Sequence, residues 1–324
     1  MTPLPRFVQI EPVGQCNLAC RMCPVVMRGD GGPGKRPAFM AYEVFCRLLD
    51  QFPDVSELHL QGLGEPMLHP RFFDMVAYAA GRGIEVSTNT NLTAFSDRRA
   101  DQCVQSGLRR MHVSLDAAEP EAYEYIRVGS RFSRVLRNLQ RLREAKLRLQ
   151  SSNPEVRLVA VAMRRNLEQI PALVQLAHDN GIRHVSVQHL CHDFSEGSLP
   201  ERYAPMREFI DSEMLSAQDV GEAFAQARRL AQALEVDLRL PRLQGEARKP
   251  GCDWPWRGSY IAYSGEAMPC CMVATPDRIN FGNMATQGVA EIWSSERYEA
   301  FRTALASESP PDICRGCSLY RGTF

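Results

Sequence analysis

"RFVQIEPVGQCNLACRMCP", residues 6–24, joins an apolar segment to three closely spaced cysteines. Residues 6–13 are rich in Phe, Val and Ile, which is typical of a β-strand. Cys16, Cys20 and Cys23 follow this segment directly. Three thiolates are one fewer than the four ligands of a structural zinc site. The stretch therefore predicts a metal group that keeps one position open for another ligand.

The cysteine spacing favours an iron–sulfur cluster over a single ion. A cubane cluster presents four irons and takes Cys thiolates as its usual ligands. C-x3-C-x2-C on one loop supplies three of them, which leaves one iron free. The alternative is a zinc ion that borrows a fourth ligand such as His59 or His69, although zinc sites more often use C-x2-C pairs.

Strand-like and helix-like segments alternate through the first two thirds of the chain. Amphipathic stretches such as 40–52, 70–83 and 167–181 separate the strand-like segments, and the last two of these end near a glycine. This alternation predicts an α/β fold with parallel strands, a partial (β/α)6 TIM-like barrel whose chemistry lies on loops at the strand C-terminal ends. The predicted strands are 6–13, 57–62, 84–90, 110–116, 155–163 and 183–190.

Composition excludes several classes of partner. Lys plus Arg and Asp plus Glu both number 38, so no net charge favours nucleic acid or an anionic membrane. The longest apolar run, 158–163, is far too short to cross a bilayer. The N-terminus lacks the basic start and apolar core of a signal peptide. We expect a cytoplasmic protein with neither nucleic acid nor membrane as a partner.

The cysteines lie mainly at the two ends of the chain. In a reducing compartment they favour metal binding over disulfides. Cys46, Cys103 and Cys191 lie between the two groups beside apolar residues, and we interpret them as buried small side chains. The pattern predicts three regions: a barrel core over 1–195, a helical bridge and linker over 196–250 with one short strand at 236–240, and a small α+β domain with its own cluster over 251–324.

C-x3-C-x2-C after the first strand of a βα barrel resembles the signature of the radical S-adenosylmethionine (SAM) enzymes. In that family the open iron of a 4Fe–4S cluster binds the amino and carboxylate groups of SAM. One electron from the cluster cleaves SAM and releases a 5′-deoxyadenosyl radical, which takes a hydrogen atom from the substrate. The resemblance also implies an external reductant, such as flavodoxin or ferredoxin.

The same resemblance indicates where SAM would bind. "LQGLGEP" (60–66) is similar to the family's glycine–glycine–glutamate segment, and "STNTN" (87–91) and "SLD" (114–116) match segments that hold the ribose and carboxylate. The alternatives are a simple turn for "GLGEP", a solvated helix arginine for Arg127 and ordinary core packing for Val161. The implied SAM-binding residues are Gly62, Gly64, Glu65, Asn89, Ser114, Arg127 and Val161.

The C-terminal cysteines resemble the SPASM/twitch extension of radical SAM enzymes in its single-cluster form. Cys252, Cys270, Cys314 and Cys317 would supply the four ligands of an auxiliary 4Fe–4S cluster, and a zinc ribbon is the alternative. "SYIAYSGEAMPCCM" (259–272) predicts the β-hairpin of that extension. Spacing does not separate Cys270 from its neighbour Cys271. We favour Cys270 as the ligand, which leaves Cys271 either as a packing residue or as a hydrogen-atom donor to a substrate radical.

The four-cysteine layout resembles that of the butirosin-pathway inosamine dehydrogenase, a twitch enzyme that oxidises a cyclitol alcohol. This implies a small-molecule substrate, such as a sugar, aminocyclitol or nucleoside-sugar, with dehydrogenation or epimerisation as the outcome. A peptide-modifying maturase is the first alternative; we weight it lower because the first strand begins near Phe7, which leaves no room for an N-terminal peptide-recognition domain. A non-catalytic iron–sulfur scaffold or electron carrier is the second alternative.

Overall fold

A computed structural model describes residues 2–28, 32–190, 200–242, 251–273 and 275–322. Within these ranges one open nine-stranded sheet runs in the order β7-β6-β5-β4-β3-β2-β1-β8-β9. The six predicted barrel strands are all present, and β1 to β6 pair in parallel. These strands are β1 (Phe7–Ile10), β2 (Glu57–Leu60), β3 (Glu85–Thr90), β4 (Arg110–Ser114), β5 (Glu155–Ala162) and β6 (His184–His189).

Helices follow the strands and cover the outer face of the sheet. Their buried residues recur at helical spacing, as Val135, Leu139 and Leu142 do on the longest helix. Short 3-10 helices at Pro24–Val26, Pro66–Leu68 and Leu167–Gln169 lie in the connections. The helices of this part are α1 (Tyr42–Asp50), α2 (Phe72–Gly81), α3 (Asp97–Gln105), α4 (Pro120–Ile126), α5 (Phe132–Arg148) and α6 (Ile170–Asp179).

The two faces of each strand differ in polarity. On β3 the side chains of Val86, Thr88 and Thr90 are buried, whereas Ser87 and Asn89 are half-buried. Because successive side chains of a strand point to opposite faces, the buried set packs against the helices and the other set lines the barrel interior. The same alternation on the neighbouring strands gives the barrel a polar lumen.

The segment after β6 continues the sheet. Beyond a 3-10 turn at Glu201–Tyr203, helices α7 (Ala204–Glu213) and α8 (Gly221–Ala233) lead to β7 (Asp237–Arg239), which pairs in parallel with β6. The short strand expected near residues 236–240 is therefore confirmed. The division of the chain at 195 and 250 stays a prediction.

The C-terminal region docks on the other side of the barrel. Strand β8 (Gly258–Ile261) pairs in parallel with β1, and β9 (Ala267–Met268) pairs antiparallel with β8, which confirms the predicted hairpin. The sequence analysis did not predict that this hairpin would extend the barrel sheet. The helices here are α9 (Trp254–Arg257), α10 (Met284–Gln287), α11 (Val289–Trp293), α12 (Glu296–Ala306), α13 (Asp312–Arg315) and α14 (Ser318–Arg321).

None of the helices in the described ranges is long and apolar enough to cross a membrane. Of the three mid-chain cysteines, Cys103 is fully buried in α3 and Cys46 is half-buried in α1. Cys191 lies outside the described residues.

Candidate active site

The cysteine loop follows β1 at the C-terminal edge of the sheet, as the sequence predicted. Backbone hydrogen bonds hold it against α4: the Ala19 N–H donates to the Val128 carbonyl at 2.9 Å, and the Arg21 N–H donates to the Ile126 carbonyl at 3.1 Å. The Cys23 N–H donates to the Cys20 carbonyl at 3.0 Å, which closes a tight turn. The loop is thereby fixed before any ligand binds.

All three cysteines of the loop line one cavity of about 270 Å³. It lies at the ends of β2, β3 and β4. Of the seven residues assigned to SAM by resemblance, six line this cavity, and Val161 is not among the lining residues. The six are Gly62, Gly64, Glu65, Asn89, Ser114 and Arg127.

The donor set fits a cluster rather than a lone ion. Among the described residues, no three His, Cys, Asp or Glu side chains converge closely enough to hold a single metal ion. Cys16, Cys20 and Cys23 all line the cavity, and a cubane takes one thiolate on each of its separate irons. Burial raises the pKa of all three thiols, that of Cys23 to about 12. Cluster binding must therefore release protons from them.

The glycine segment is shaped by a buried carboxylate that the sequence analysis missed. Glu11 lies just past β1 with no exposed surface, and its Oε1 accepts hydrogen bonds from the Leu63 and Gly64 N–H groups at 2.8 and 3.2 Å. Arg28 lies 3.6 Å from the same oxygen. Burial raises the pKa of Glu11, whereas Arg28 and the N–H donors act in the opposite direction. The only signal in the sequence was a charged residue inside an apolar segment.

Contacts within the protein require glycine at both positions, in addition to any requirement from a ligand. A Cβ on Gly62 would overlap the Glu11 side chain, and a Cβ on Gly64 would overlap the Val13 carbonyl. The chain between them, at Leu63, therefore passes close to β1. Because this packing needs no bound molecule, the segment is preorganised around the cavity.

Glu65 ties the end of β2 to the end of β3. Its Oε1 accepts from the Thr90 hydroxyl at 2.6 Å and the Met67 N–H at 3.0 Å, and its Oε2 accepts from the Asn91 N–H at 2.7 Å. Burial raises its pKa, and these donors oppose the rise. Resemblance assigned this carboxylate to the SAM ammonium. The structure shows that it also holds the two strand ends together.

Asn91 connects the third strand to the cysteine loop. Its side-chain amide donates to the Cys16 sulfur at 3.6 Å and to the Asn17 side-chain carbonyl at 3.1 Å. The Leu18 N–H also donates to the Cys16 sulfur, at 3.4 Å. Hydrogen bonds to a cluster sulfur stabilise the reduced state, so this amide is placed to tune a cluster held there. "STNTN" drew attention to this segment, but not to the link with Cys16.

Arg127 is held by a buried carboxylate. Its Nε lies 2.7 Å from Oδ2 of Asp116, which is fully buried. Its Nη1 lies 3.9 Å from the Cys20 sulfur. Asp116 also accepts the Val161 N–H at 2.9 Å, and the Val161 side chain packs with the apolar cluster around Tyr203. Arg127 is thus a fixed positive charge at the cavity wall, not a solvated helix residue.

The C-terminal cysteines come from three segments that meet beyond β8. The Cys317 N–H donates to the Cys314 carbonyl at 3.1 Å, and the Gly251 N–H donates to the Tyr320 carbonyl at 2.9 Å. The second bond brings the segment before Cys252 to the C-terminal pair. Cys270 follows β9. Burial raises the pKa of its thiol, and the negative charges of Cys271 and Cys317, when ionised, raise this pKa further. Cys270 is therefore close enough to Cys317 for their charges to interact, and the backbone contact at Gly251 brings the segment of Cys252 to the same region.

Fold and site together define an enzyme of the radical SAM type. Residues 10–149 match the Radical SAM superfamily, and residues 252–318 match SPASM, an iron–sulfur cluster-binding domain. The chain carries a radical SAM domain and a C-terminal SPASM domain. Its cofactors are SAM, a SAM-binding 4Fe–4S cluster and an auxiliary 4Fe–4S cluster. These findings support the iron–sulfur prediction over both zinc alternatives.

Curated relatives extend over nearly the whole chain. A tungsten-containing aldehyde ferredoxin oxidoreductase cofactor-modifying protein from Pyrococcus furiosus is 25% identical over 97% of this chain and 87% of its own. The PqqA peptide cyclase of Xanthomonas campestris is 27% identical over 97% of this chain and 80% of its own.

Solved structures share the fold at low identity. Streptococcus suis SuiB bound to SAM has a TM-score of 0.69 and 17% identity, and covers 98% of this chain and 73% of its own. BtrN in complex with AdoMet and 2-DOIA has a TM-score of 0.53 and 15% identity, with coverage of 98% and 94%. The predicted likeness to the butirosin dehydrogenase is confirmed at the level of fold.

The prediction of a small-molecule substrate was wrong. Peptide cyclases align with nearly all of this chain, and SuiB has also been solved with its precursor peptide SuiA. The prediction rested on the cysteine layout, which resembles that of the butirosin dehydrogenase, and on the apparent lack of room for an N-terminal recognition domain before Phe7. Neither observation decides the substrate, because peptide-modifying relatives align with nearly all of this chain. The findings favour the peptide-modifying alternative.

Proposed function

We propose that this chain modifies a peptide by radical chemistry. The observation that carries the proposal is the alignment with PqqA peptide cyclases at 26–27% identity over 97–98% of the chain. The alignment spans the regions of this chain that carry both cysteine groups, so the similarity is not confined to one domain. A likeness to SuiB in fold supports the same class.

We assign the first cysteine group to the SAM-binding cluster. Cys16, Cys20 and Cys23 would hold three irons, and the cavity beside them would hold SAM. The bound cluster and SAM together supply a 5′-deoxyadenosyl radical that removes a hydrogen atom from the substrate. The chain's own part is to fix the cavity, because Glu11 and Glu65 hold its backbone wall through hydrogen bonds.

The remaining residues that resemblance implied take roles around the bound SAM. Arg127 would neutralise the SAM carboxylate, and its pairing with Asp116 fixes its direction. Asn89 and Ser114 would contact the ribose, since both line the cavity beside Gly62 and Gly64. Val161 would contribute only an apolar contact near the adenine.

The second cysteine group would hold the auxiliary cluster. Cys252, Cys270, Cys314 and Cys317 are its proposed ligands, and it would accept the electron that a substrate radical must lose to give an oxidised product. Cys271 packs beside Tyr260, Ala262 and Met268. If its thiol returned a hydrogen atom to the radical, the outcome would be epimerisation without net oxidation. We propose net oxidation as the main outcome, with an external reductant such as flavodoxin or ferredoxin for the first cluster.

Anaerobic reconstitution with iron and sulfide, followed by incubation with SAM, dithionite and synthetic peptides, tests the proposal. The peptides are those encoded by short reading frames beside this gene, each carrying deuterated residues. The expected result is deuterium in 5′-deoxyadenosine together with a peptide that has lost that deuterium and one further hydrogen or deuterium. A peptide in which one deuterium is replaced by one solvent hydrogen, with no further loss, would indicate epimerisation. Deoxyadenosine that never contains peptide deuterium would refute the peptide substrate.

A further inference from the structure

The barrel lumen holds a second cavity below the SAM cavity. It measures about 200 Å³ and is lined by side chains of β3 to β7. Asn89 lines both cavities, and Ser114, which lines the upper one, lies two residues beyond His112, which lines the lower one. Two strand residues on one face are about 7 Å apart, so the cavities are adjacent layers of one lumen. A group in the lower cavity is therefore within reach of chemistry in the upper one.

The imidazole of His112 has a fixed hydrogen-bonding direction. Its Nδ1 lies 2.8 Å from Oδ1 of Asn89. An amide oxygen only accepts hydrogen bonds, so Nδ1 must carry the proton. Nε2 is then an unprotonated acceptor, and no described residue donates a hydrogen bond to it. Burial, with Arg157 and Arg110 adding to it, lowers the pKa of His112 to about 4, so the ring is neutral near pH 7.

The charged groups around the lower cavity are largely paired with one another. Arg157 lies 2.6 Å from Glu155, and His184 lies 3.2 Å from Glu155 and 3.0 Å from Asp237. The opposite charges within these pairs offset one another, so little net charge remains to attract a charged ligand. The neutral Nε2 of His112 is therefore suited to accept a hydrogen bond from a polar, uncharged group.

We propose that the lower cavity receives one side chain of the peptide substrate, and that Nε2 of His112 accepts a hydrogen bond from a hydroxyl or amide group on it. The proposal rests on the proposed function, and it adds the chemical class of residue that the enzyme selects. A side chain held there by its donor group would be oriented in the layer next to the radical. His112 is thus a specificity-determining residue.

His59 provides a matched control. It lies on β2, two strands away from β4, with its ring centroid 6.1 Å from that of His112, and its Nδ1 contacts Ser87 at 2.8 Å. Burial also lowers its pKa to about 4. It lines neither of the two lumen cavities. A general effect of losing a lumen histidine should therefore appear in His59→Gln as strongly as in a His112 variant.

The experiment uses the reconstituted enzyme and a probe peptide, Gly-Gly-Ala-X-Ala-Gly-Gly, in which X is deuterated. The residue X is one member of two matched pairs. Thr and Val differ by the replacement of a hydroxyl with a methyl group, and Asn and Leu are similar in size but differ in hydrogen-bond donors. The measurement is kcat/KM for deuterium transfer to 5′-deoxyadenosine. His112→Asn keeps a donor for Asn89 but does not reach the position of Nε2, whereas His112→Gln places an amide oxygen there.

The wild type is expected to prefer Thr over Val, and Asn over Leu, by about tenfold, mostly through KM. His112→Asn should reduce both ratios to about one, while His112→Gln and His59→Gln should keep them. Equal transfer from Thr and Val peptides, or a preference unchanged in His112→Asn, would overturn this proposal and leave the proposed function standing. Transfer from none of the four probe peptides would refute this proposal, whereas the proposed function is refuted only if the encoded peptides also give no transfer.

Discussion

Replacement of Glu11 by Ala removes the acceptor that organises the glycine segment. Glu11 has no exposed surface, and the N–H groups of Leu63, Gly64 and Tyr263 donate to it at 2.8, 3.2 and 3.4 Å. The variant would leave these donors without their carboxylate and would remove the negative charge beside the Arg28 guanidinium, which is 6% exposed. We expect a large loss of stability together with a misplaced cavity wall.

The structure sets the size of this loss. Removing one partner of a buried ion pair costs about 3–5 kcal/mol, and each buried donor left without an acceptor costs about 1–3 kcal/mol. These costs overlap because they share one carboxylate, so we expect about 3–5 kcal/mol in total. An unfolding entropy of about 2.1 cal/mol/K per residue converts this to a Tm lower by roughly 4–7 °C for a chain of 324 residues. SAM should also bind more weakly, because Leu63 and Gly64 line its cavity.

The assay is anaerobic thermal unfolding followed by circular dichroism, with SAM affinity from equilibrium dialysis. Glu43→Ala is the control, since Glu43 is 68% exposed and its ion pair with Arg71 lies on the surface. The control is expected to leave Tm within about 1 °C of the wild type. Glu11→Gln keeps one acceptor oxygen and should fall between the two. If Glu11→Ala lowered Tm no more than the control, the role assigned to Glu11 would be refuted.

Three further predictions concern the lumen and the two cysteine groups. Burial lowers the pKa of His59 to about 4 in the folded chain, below its ordinary value of 6.5. As the pH falls below 6.5, the unfolded chain therefore binds a proton that the folded chain does not, and the wild type loses stability. His59→Gln should therefore lose about 2 kcal/mol less stability than the wild type between pH 7 and pH 5 in urea unfolding, and an equal loss would contradict this. Asn91→Ala removes a donor to the Cys16 sulfur and should lower the reduction potential of the SAM-binding cluster by about 40 mV in an EPR-monitored titration. A potential that stays the same or rises would exclude that role. Cys270→Ala should lose about four irons per chain, whereas Cys271→Ala should keep its iron, and the reverse pattern would exchange the two assignments.

Local patterns predicted the elements that depend on local physics. The six parallel strands follow from alternating segments, and the observed β1 ends at Ile10 because Pro12, which has no N–H, follows closely after it. The strand near residues 236–240 and the hairpin at β8 and β9 were also predicted. The docking of β8 on β1 was not, because that pairing joins Phe7 to Gly258 and leaves no local trace in either segment.

The candidate site was predicted in part. Cysteine spacing and resemblance brought together six of seven proposed SAM contacts around one cavity. Glu11, Asp116 and the link from Asn91 to Cys16 were missed, since each depends on a contact between segments far apart in the chain. The substrate class was predicted wrongly, because the cysteine layout determines the cofactors and not the molecule on which they act.

By itself, the sequence determined the metal chemistry. Three thiols on one short loop leave a coordination position open whatever surrounds them, because ligand number and spacing are properties of a few adjacent residues. Only the tertiary structure decided which groups border that position, which carboxylates hold its walls, and which way His112 presents its nitrogen. Those features depend on strand register and on side chains meeting across the lumen, and such contacts exist only once the sheet has formed.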